Sequence, residues 1–369
     1  MRVLFVVQGE GRGHLMQAIA VSRMLKSAGH DVVEVLVGKS CGRVIPQFFY
    51  EQIGAPVHCF DSPNFMPTVR NQRPPLLRSV AYNIVRLPRY ALSVRFIYQR
   101  IRAGRVDMVL NFYELLTGML YFFCRPSASH VCVGHQLLFL HRDFRFPGAN
   151  RLSWCSLKLF TWMASFGAER KLALSFREMP DDESHDIFVV PPLLRREVVT
   201  ARPSDGRYIH GYMVNAGFSE SVEAWHRQHP EVELHFFRDR GGDGGAERVD
   251  ATLTFHAIDD RAFLRSLCGC AAYAYATTAG FESVCEAMYL GKPLLLVPAH
   301  IEQECNAYDA ALSGGVVVAD DFRADDLLRI ARLHRRDMDF VRWVDSCDAR
   351  FMAHLEAAVP LRVARVAWA

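Results

Sequence analysis

The chain has 369 residues, half of them hydrophobic and 22% charged, with a formal net charge of +3. That composition is globular; it excludes a disordered chain and gives no argument for nucleic-acid binding. The length exceeds one ordinary core and calls for two domains of roughly 150 to 200 residues.

The first element is "RVLFVV", a continuous apolar run of the kind buried in a parallel sheet. The glycine loop "QGEGRGH" (8–14) follows it, then a segment with Leu15, Ile19, Met24 and Leu25 at helical spacing, stopped by Gly29. "DVVEVLVG" is the second strand, and a right-handed crossover makes the pair parallel. "VDMVLNF" (106–112) and "HVCVGH" (130–135) are strands that end in polar residues, and "KLALSF" and "DIFVVPP" close the first half. A polar stretch at 195–207, broken by Pro203 and Gly206, reads as a linker. The second half repeats the alternation: strand "YIHGYMV", a helix from Ser219, strands "VELHFF" and "ATLTFH" around "DRGGDGGAE", helix "DRAFLRSL" and strand "AAYAYA". Helix "FESVCEAMYLG", strand "PLLLVP", helix "EQECNAYDAALSGG" and strand "VVVA" complete it. The expectation is α/β: two domains, each a parallel sheet, at 1–195 and 207–369, with the last helix able to pack back on the first domain. Ligands bind at the carboxyl ends of such strands, here in the cleft between the domains.

Ten cysteines are scattered along the chain, and the short pair Cys268 and Cys270 has C-x-C spacing. That pattern gives neither a zinc site nor a disulfide framework and reads as reduced thiols of a cytosolic protein. No stretch of about 18 uncharged apolar residues suggests a spanning helix, and "MRVLFVVQG" is too short for a secretory signal.

The densest chemistry lies between residues 256 and 306. "TTAG" ends a strand and opens a helix, so Thr278, Ala279 and Gly280 present bare backbone at a helix N-terminus, which favours a phosphate. Glu286 follows six residues after Gly280, and its carboxylate suits two vicinal ribose hydroxyls. Glu282 is expected to face elsewhere, into solvent. Gln303 is placed to bind sugar hydroxyls, with Glu302 beside it. The plain alternative is an ordinary turn and a surface carboxylate.

The stretch "AGFESVCEAMYLGKPLLLVPAHIEQECNA" resembles the donor-sugar signature of GT-B glycosyltransferases, in the group of the lipid I N-acetylglucosaminyltransferase and the UDP-glucuronosyltransferases. The matching positions are Ala279-Gly280, Glu286-Ala287, Gly291-Lys292-Pro293, Pro298, Gln303 and Asn306-Ala307. The resemblance implies two Rossmann-like domains facing a cleft and an inverting, metal-independent transferase. It implies a nucleotide sugar, with UDP as the nucleotide, as co-substrate and no other cofactor. The nucleotide would sit on the C-terminal domain, its uracil read by backbone at Ile258, and the acceptor on the N-terminal one. The pattern's Gly/Ser-rich phosphate loop is replaced here by "GYMVNAGFSE", where Asn215, Gly217 and Ser219 stand in its place.

Inverting transfer needs a base for the acceptor hydroxyl. His14, Glu114 and the pair His135 and Gln136 all follow strands of the first sheet, so they can converge at its carboxyl edge. A helix N-terminus disfavours imidazolium, which keeps His14 neutral and able to take a proton. His14 is the first candidate and Glu114 the second; capping or loop support is the structural reading of either. His135 and Gln136 read as acceptor-pocket residues. Gly11 and Gly13 remove side chains that would block approach to the donor diphosphate.

The stretch 73–105 is rich in arginine, carries no lysine or acidic residue, and interleaves Tyr82, Ile84, Leu87, Tyr90, Phe96, Ile97 and Tyr98. Pro88 breaks or kinks its helix. Together with the tryptophans of "LSWCSLKLFTWMASF" it suits an anionic membrane face and a lipid-linked acceptor; core helices with wet arginines are the alternative. A cytoplasmic protein on the inner membrane face is the expected location. Other functions considered are a nucleotide-sugar-binding subunit without chemistry and a UDP-sugar epimerase or hydrolase. A dinucleotide-dependent dehydrogenase is disfavoured: the loop is G-x-G-x-G, and no acidic residue ends the second strand.

Overall fold

The computed structural model describes residues 1–63, 82–148, 151–204, 206–213, 218–238, 245–276, 280–298, 301–322 and 324–358. Two seven-stranded sheets organise them. The first contains β1 (Arg2–Gln8), β2 (Asp31–Lys39), β3 (Val57–Asp61), β4 (Met108–Phe112), β5 (Ser129–Gly134), β6 (Arg170–Leu174) and β7 (Ile187–Val190), in the order β3-β2-β1-β4-β5-β6-β7. The paired strands run parallel. The second contains β8 (Tyr208–Met213), β9 (Glu233–Arg238), β10 (Glu247–Arg248), β11 (Leu253–Ala257), β12 (Ala272–Ala276), β13 (Leu294–Val297) and β14 (Val316–Val318), in the order β10-β11-β9-β8-β12-β13-β14. Its pairings are parallel except β10 with β11, an antiparallel edge that corrects the expectation of a wholly parallel second sheet.

Strands with helices on both faces must be apolar throughout, and β1, β4 and β5 are buried along nearly their whole length. In each sheet the strand order turns back beside the first strand, between β1 and β4 and between β8 and β12. Crevices form outside the carboxyl ends of strands at such points. The first is bordered by helix α1 (Arg12–Ser27), which follows β1. A long helix α2 (Leu87–Gly104) leads into β4, and Pro88 sits in its first turn, where the missing N–H costs nothing. Helix α3 (Leu115–Phe123) packs on it, and α4 (Arg151–Ala164) packs on α3. On the other domain, α5 (Asp260–Gly269) follows β11, α6 (Phe281–Tyr289) follows β12 and α7 (Ile301–Ala311) follows β13.

The chain returns to the first sheet at its end. Helices α8 (Met338–Asp345) and α9 (Cys347–Ala358) carry Trp343, whose Nε1 donates to the Ser175 carbonyl at 3.0 Å, and Ala358, whose carbonyl accepts from Ser129 Oγ at 2.9 Å. Residues from both sheets and from these helices share one continuous buried cluster.

Candidate active site

His14 lies in the first turn of α1, whose N-cap Gly11 is extended and offers no side-chain cap. The ring is 8% exposed. Its Nδ1 lies 3.1 Å from Gln17 Oε1, and it stacks on Tyr113 with ring centroids 5.8 Å apart. Gln17 is one helical turn on, hence on the same face. Tyr113 closes β4 with φ of 58°, a left-handed conformation costly for an aromatic residue, and its hydroxyl pairs with Thr161 Oγ1 at 2.7 Å. Burial lowers the His14 pKa below its ordinary value, against the hydrogen bond from Gln17 and the pull of the Glu302 carboxylate.

Residues of the second domain face this histidine. Glu282, in the first turn of α6, accepts a hydrogen bond from Gln17 Nε2, and burial pushes its pKa up to about 7. This corrects the sequence expectation of a solvated Glu282 facing elsewhere. Residues 282 and 286 are four apart and share a helix face. Gly13 is bare for the same reason: a Cβ there would collide with the Glu282 carboxylate. A Cβ at Gly11 would come no nearer than 4.0 Å to the Gly13 nitrogen, an ordinary contact, so packing does not require that glycine. Glu302, on α7, accepts from Gln136 Nε2 at 2.9 Å. His135 stacks on Phe281 with centroids 4.1 Å apart and meets Phe176, while its Nδ1 donates to the Leu174 carbonyl at 2.8 Å. Burial lowers its pKa too, with Asp309, Glu302 and Asn306 opposing. Arg177 and Asp309 add an ion pair across the cleft at 3.5 Å.

Glu286 is buried and paired. Arg195, in the segment between the sheets, donates from Nε to Oε1 at 2.6 Å and from a terminal nitrogen to Oε2 at 3.0 Å, and reaches Asp260 at 2.6 Å. Each carboxylate oxygen retains a lone pair for a further donor. Gly280 is the N-cap of α6 without a side-chain cap, so that helix start keeps its backbone donors. Ile258 is half-buried in the loop between β11 and α5, and Gln303 is buried beside Glu302. Thr278, Ala279, Asn215 and Gly217 lie outside the described residues, as does the start of the 73–105 stretch.

Glu114 is elsewhere. It is the N-cap of α3, accepting from the Thr117 backbone at 3.1 Å through Oε2 and from Ser62 Oγ through Oε1. The side chain has no exposed surface, and burial raises its pKa to about 7. Both oxygens are taken by donors and the side chain is buried, which fits a helix cap; His14 stays the first base candidate and Glu114 the second. Among the groups that sequence reasoning passed over, Gln17 and Glu282 carried a readable signal in their three- and four-residue spacings. Arg195, Tyr113 and Phe281 carried none, because their partners are brought in by tertiary packing.

The architecture, two switch-point crevices facing one cleft, is that of a GT-B glycosyltransferase. Solved structures with this fold include the glycosyltransferase of kitacinnamycin (TM-score 0.61, 16% identity, 97% of this chain and 99% of that one). Phytolacca americana UGT2, solved with UDP-2-fluoro-glucose and pterostilbene, gives a TM-score of 0.64 at 14% identity over 96% and 99% of the two chains. CalG4, the calicheamicin glycosyltransferase, gives 0.59 at 16% identity over 99% of each. No curated protein matches the sequence. The model of glycosyl transferase family 1 matches residues 1–330, and the chain belongs to that family. It is therefore an enzyme that transfers sugar.

Proposed function

We propose that the protein moves a hexose from a UDP-sugar to an acceptor hydroxyl with inversion at the anomeric carbon and without a metal ion. The observation that carries this reading is the place of His14: buried at a helix start in the cleft, opposite Glu282 and Glu302 of the two helices that bear the donor signature. In this scheme His14 Nε2 takes the acceptor proton. The acceptor oxygen bonds to the anomeric carbon, and the bond from that carbon to the diphosphate oxygen breaks, the electron pair leaving with UDP. The uncapped start of α6 at Gly280, with Thr278 and Ala279 before it, stabilises the departing diphosphate in place of a cation. Glu286 holds the ribose, backbone at Ile258 reads the base, and Glu302 with Gln303 reads the sugar. Tyr113, His135 and Gln136 border the acceptor side. Phytolacca americana UGT2 holds its sugar on UDP, which supports the same nucleotide here.

The acceptor we favour is lipid-linked. Helix α2 buries Tyr90, Ser93, Ile97 and Ile101 and turns Leu87 and Leu92 outward; Ile84 and Val85 are exposed just before it. Phe123 on α3 and Leu152, Leu159 and Trp162 on α4 continue the exposed apolar surface, and α2 carries arginines without any acidic residue. Such a face suits the inner leaflet, whose lipids are anionic. Among the described residues no helix is long and apolar enough to cross a membrane. The experiment is a panel of UDP- and TDP-sugars screened for thermal stabilisation of the full chain, since a ligand of the folded state raises the midpoint. Stabilisation by a UDP-sugar is the expected result; a TDP-sugar or none would overturn the donor assignment. Flotation with anionic vesicles, and not with neutral ones, tests the membrane face.

A further inference from the structure

We propose that Gln17 and Glu282 form a relay across the cleft that holds His14 with Nδ1 protonated and Nε2 free, so that the base is assembled only when the two domains meet. The inference rests on the reading of His14 as the base and adds how it is oriented. Above about pH 7 Glu282 is ionised and can only accept, so it requires the nitrogen end of the Gln17 amide, which is the end it meets. The oxygen end then faces His14 Nδ1 at 3.1 Å, where it accepts from a protonated nitrogen. The amide therefore converts an anion on one domain into a fixed tautomer on the other. Nε2 keeps its lone pair for the acceptor hydroxyl. No proton passes through the amide; its task is orientation.

Two further observations agree. Gly13 is the residue whose side chain would occupy the place of the Glu282 carboxylate. The relay also joins α1 to α6, the helices at the two switch points, so opening the cleft separates Gln17 from Glu282 and releases the histidine ring. Gln17 and Glu282 are positioning residues, and the charged or titratable groups around His14 are Glu282 on α6, Glu302 on α7 and Tyr113 after β4.

The test follows the imidazole nitrogens of His14 by 15N NMR in the full chain saturated with UDP, together with kcat and donor KM for the UDP-sugar that the stabilisation panel selects. Wild type should show the Nδ1–H tautomer, and Gln17→Leu a mixture or the Nε2–H form. Glu282→Gln lets the facing amide accept or donate, so above about pH 7 the His14 nitrogens should shift toward a tautomer mixture and kcat should fall, with donor KM nearly unchanged. Gln17→Glu places two carboxylates face to face and should lower kcat at least about tenfold. Adding Glu282→Gln moves the charge one member along the relay, from residue 282 to residue 17, and should restore kcat to within about threefold of wild type. An unaltered tautomer in Gln17→Leu or in Glu282→Gln, or a large rise in donor KM without a change in kcat, would each overturn the relay. A His14→Ala enzyme with full kcat would instead overturn the base assignment, while the tautomer spectra would still decide the relay.

Discussion

Two carboxylates of one helix, Glu282 and Glu286, do different work because of what each meets. Glu282 reaches a neutral amide across the cleft, and Glu286 meets a buried guanidinium. Against the lowering that burial imposes, Glu286 and Asp260 raise the Arg195 pKa further, so Arg195 stays charged. Its planar fork fixes Glu286 with both oxygens aimed, the arrangement wanted for a pair of vicinal hydroxyls. Replacing Glu286 by Gln keeps the volume and one acceptor but loses a charge-assisted contact. The donor KM should rise about tenfold or more, since each lost charged hydrogen bond is worth roughly 1.5–3 kcal/mol; an unchanged KM would remove Glu286 from the ribose. At His14 the expectation is of another kind. His14→Ala should lower kcat by about 10²–10⁴ while donor binding, measured calorimetrically, stays intact. A loss confined to affinity would make His14 a loop support.

The loop–helix element after β4 shows how similar residue types separate by context. Asn111 Oδ1 accepts from the Glu114 backbone at 2.7 Å, and Glu114 in turn caps α3. This closed set of bonds holds Tyr113 in its left-handed conformation against His14. Glu114→Ala should therefore cost about 1–2 kcal/mol of stability, as the loss of a helix N-cap does. Because the ring position rests on several bonds, kcat should fall by less than about threefold, far short of the loss expected of a general base. Melting curves and kinetics of Glu114→Ala and Glu114→Gln decide this. A large kcat loss in both, with melting unchanged, would put Glu114 first among the candidate bases.

At the scale of the molecule, buried titratable groups set the response to acid. Burial lowers the pKa values of His14, His135 and His210 and takes His130 down to about 3. Below pH 6.5 the unfolded chain protonates these histidines before the folded one, so each one takes away up to about 1.4 kcal/mol per pH unit. Glu114 and Glu282, raised to about 7, act in the opposite sense: their folded forms hold protons that the unfolded chain releases above about pH 4.5. Between pH 6.5 and 4.5 the two carboxylates offset only part of the loss from the four histidines. Below 4.5 the carboxylates are protonated in both states and the histidine loss stands alone. Thermal melts from pH 8 to 3.5 should show stability falling below about 6.5 and more steeply beneath about 4.5. A slope that does not steepen near 4.5 would show that the buried carboxylates do not titrate in this way. Turnover should also survive a chelator; loss restored by Mg²⁺ would contradict the metal-free scheme.

Much of the architecture was legible because it follows from local chemistry. Unbroken apolar runs such as "RVLFVV" and "PLLLVP" require burial on both faces, glycine turns end them, and helical periodicity between them gives the βαβ alternation. The donor signature was legible because phosphate binding at a helix start needs small residues at fixed offsets from the strand. The short edge strands β3 and β10 were not, since an edge needs little apolar patterning of its own and the antiparallel course of β10 is set by its neighbour. Local sequence was enough for two parallel-type sheets, a donor-like signature on the second and His14 after the first strand of the first. Only the tertiary structure decided that Glu282 crosses to Gln17, that Arg195 holds Glu286 and that Glu114 is sealed inside. These outcomes join residues far apart in the chain, 265 positions for Gln17 and Glu282 and 91 for Arg195 and Glu286. No local propensity encodes such a pairing; it is fixed when the two sheets close on one cleft and each buried polar group must find a partner.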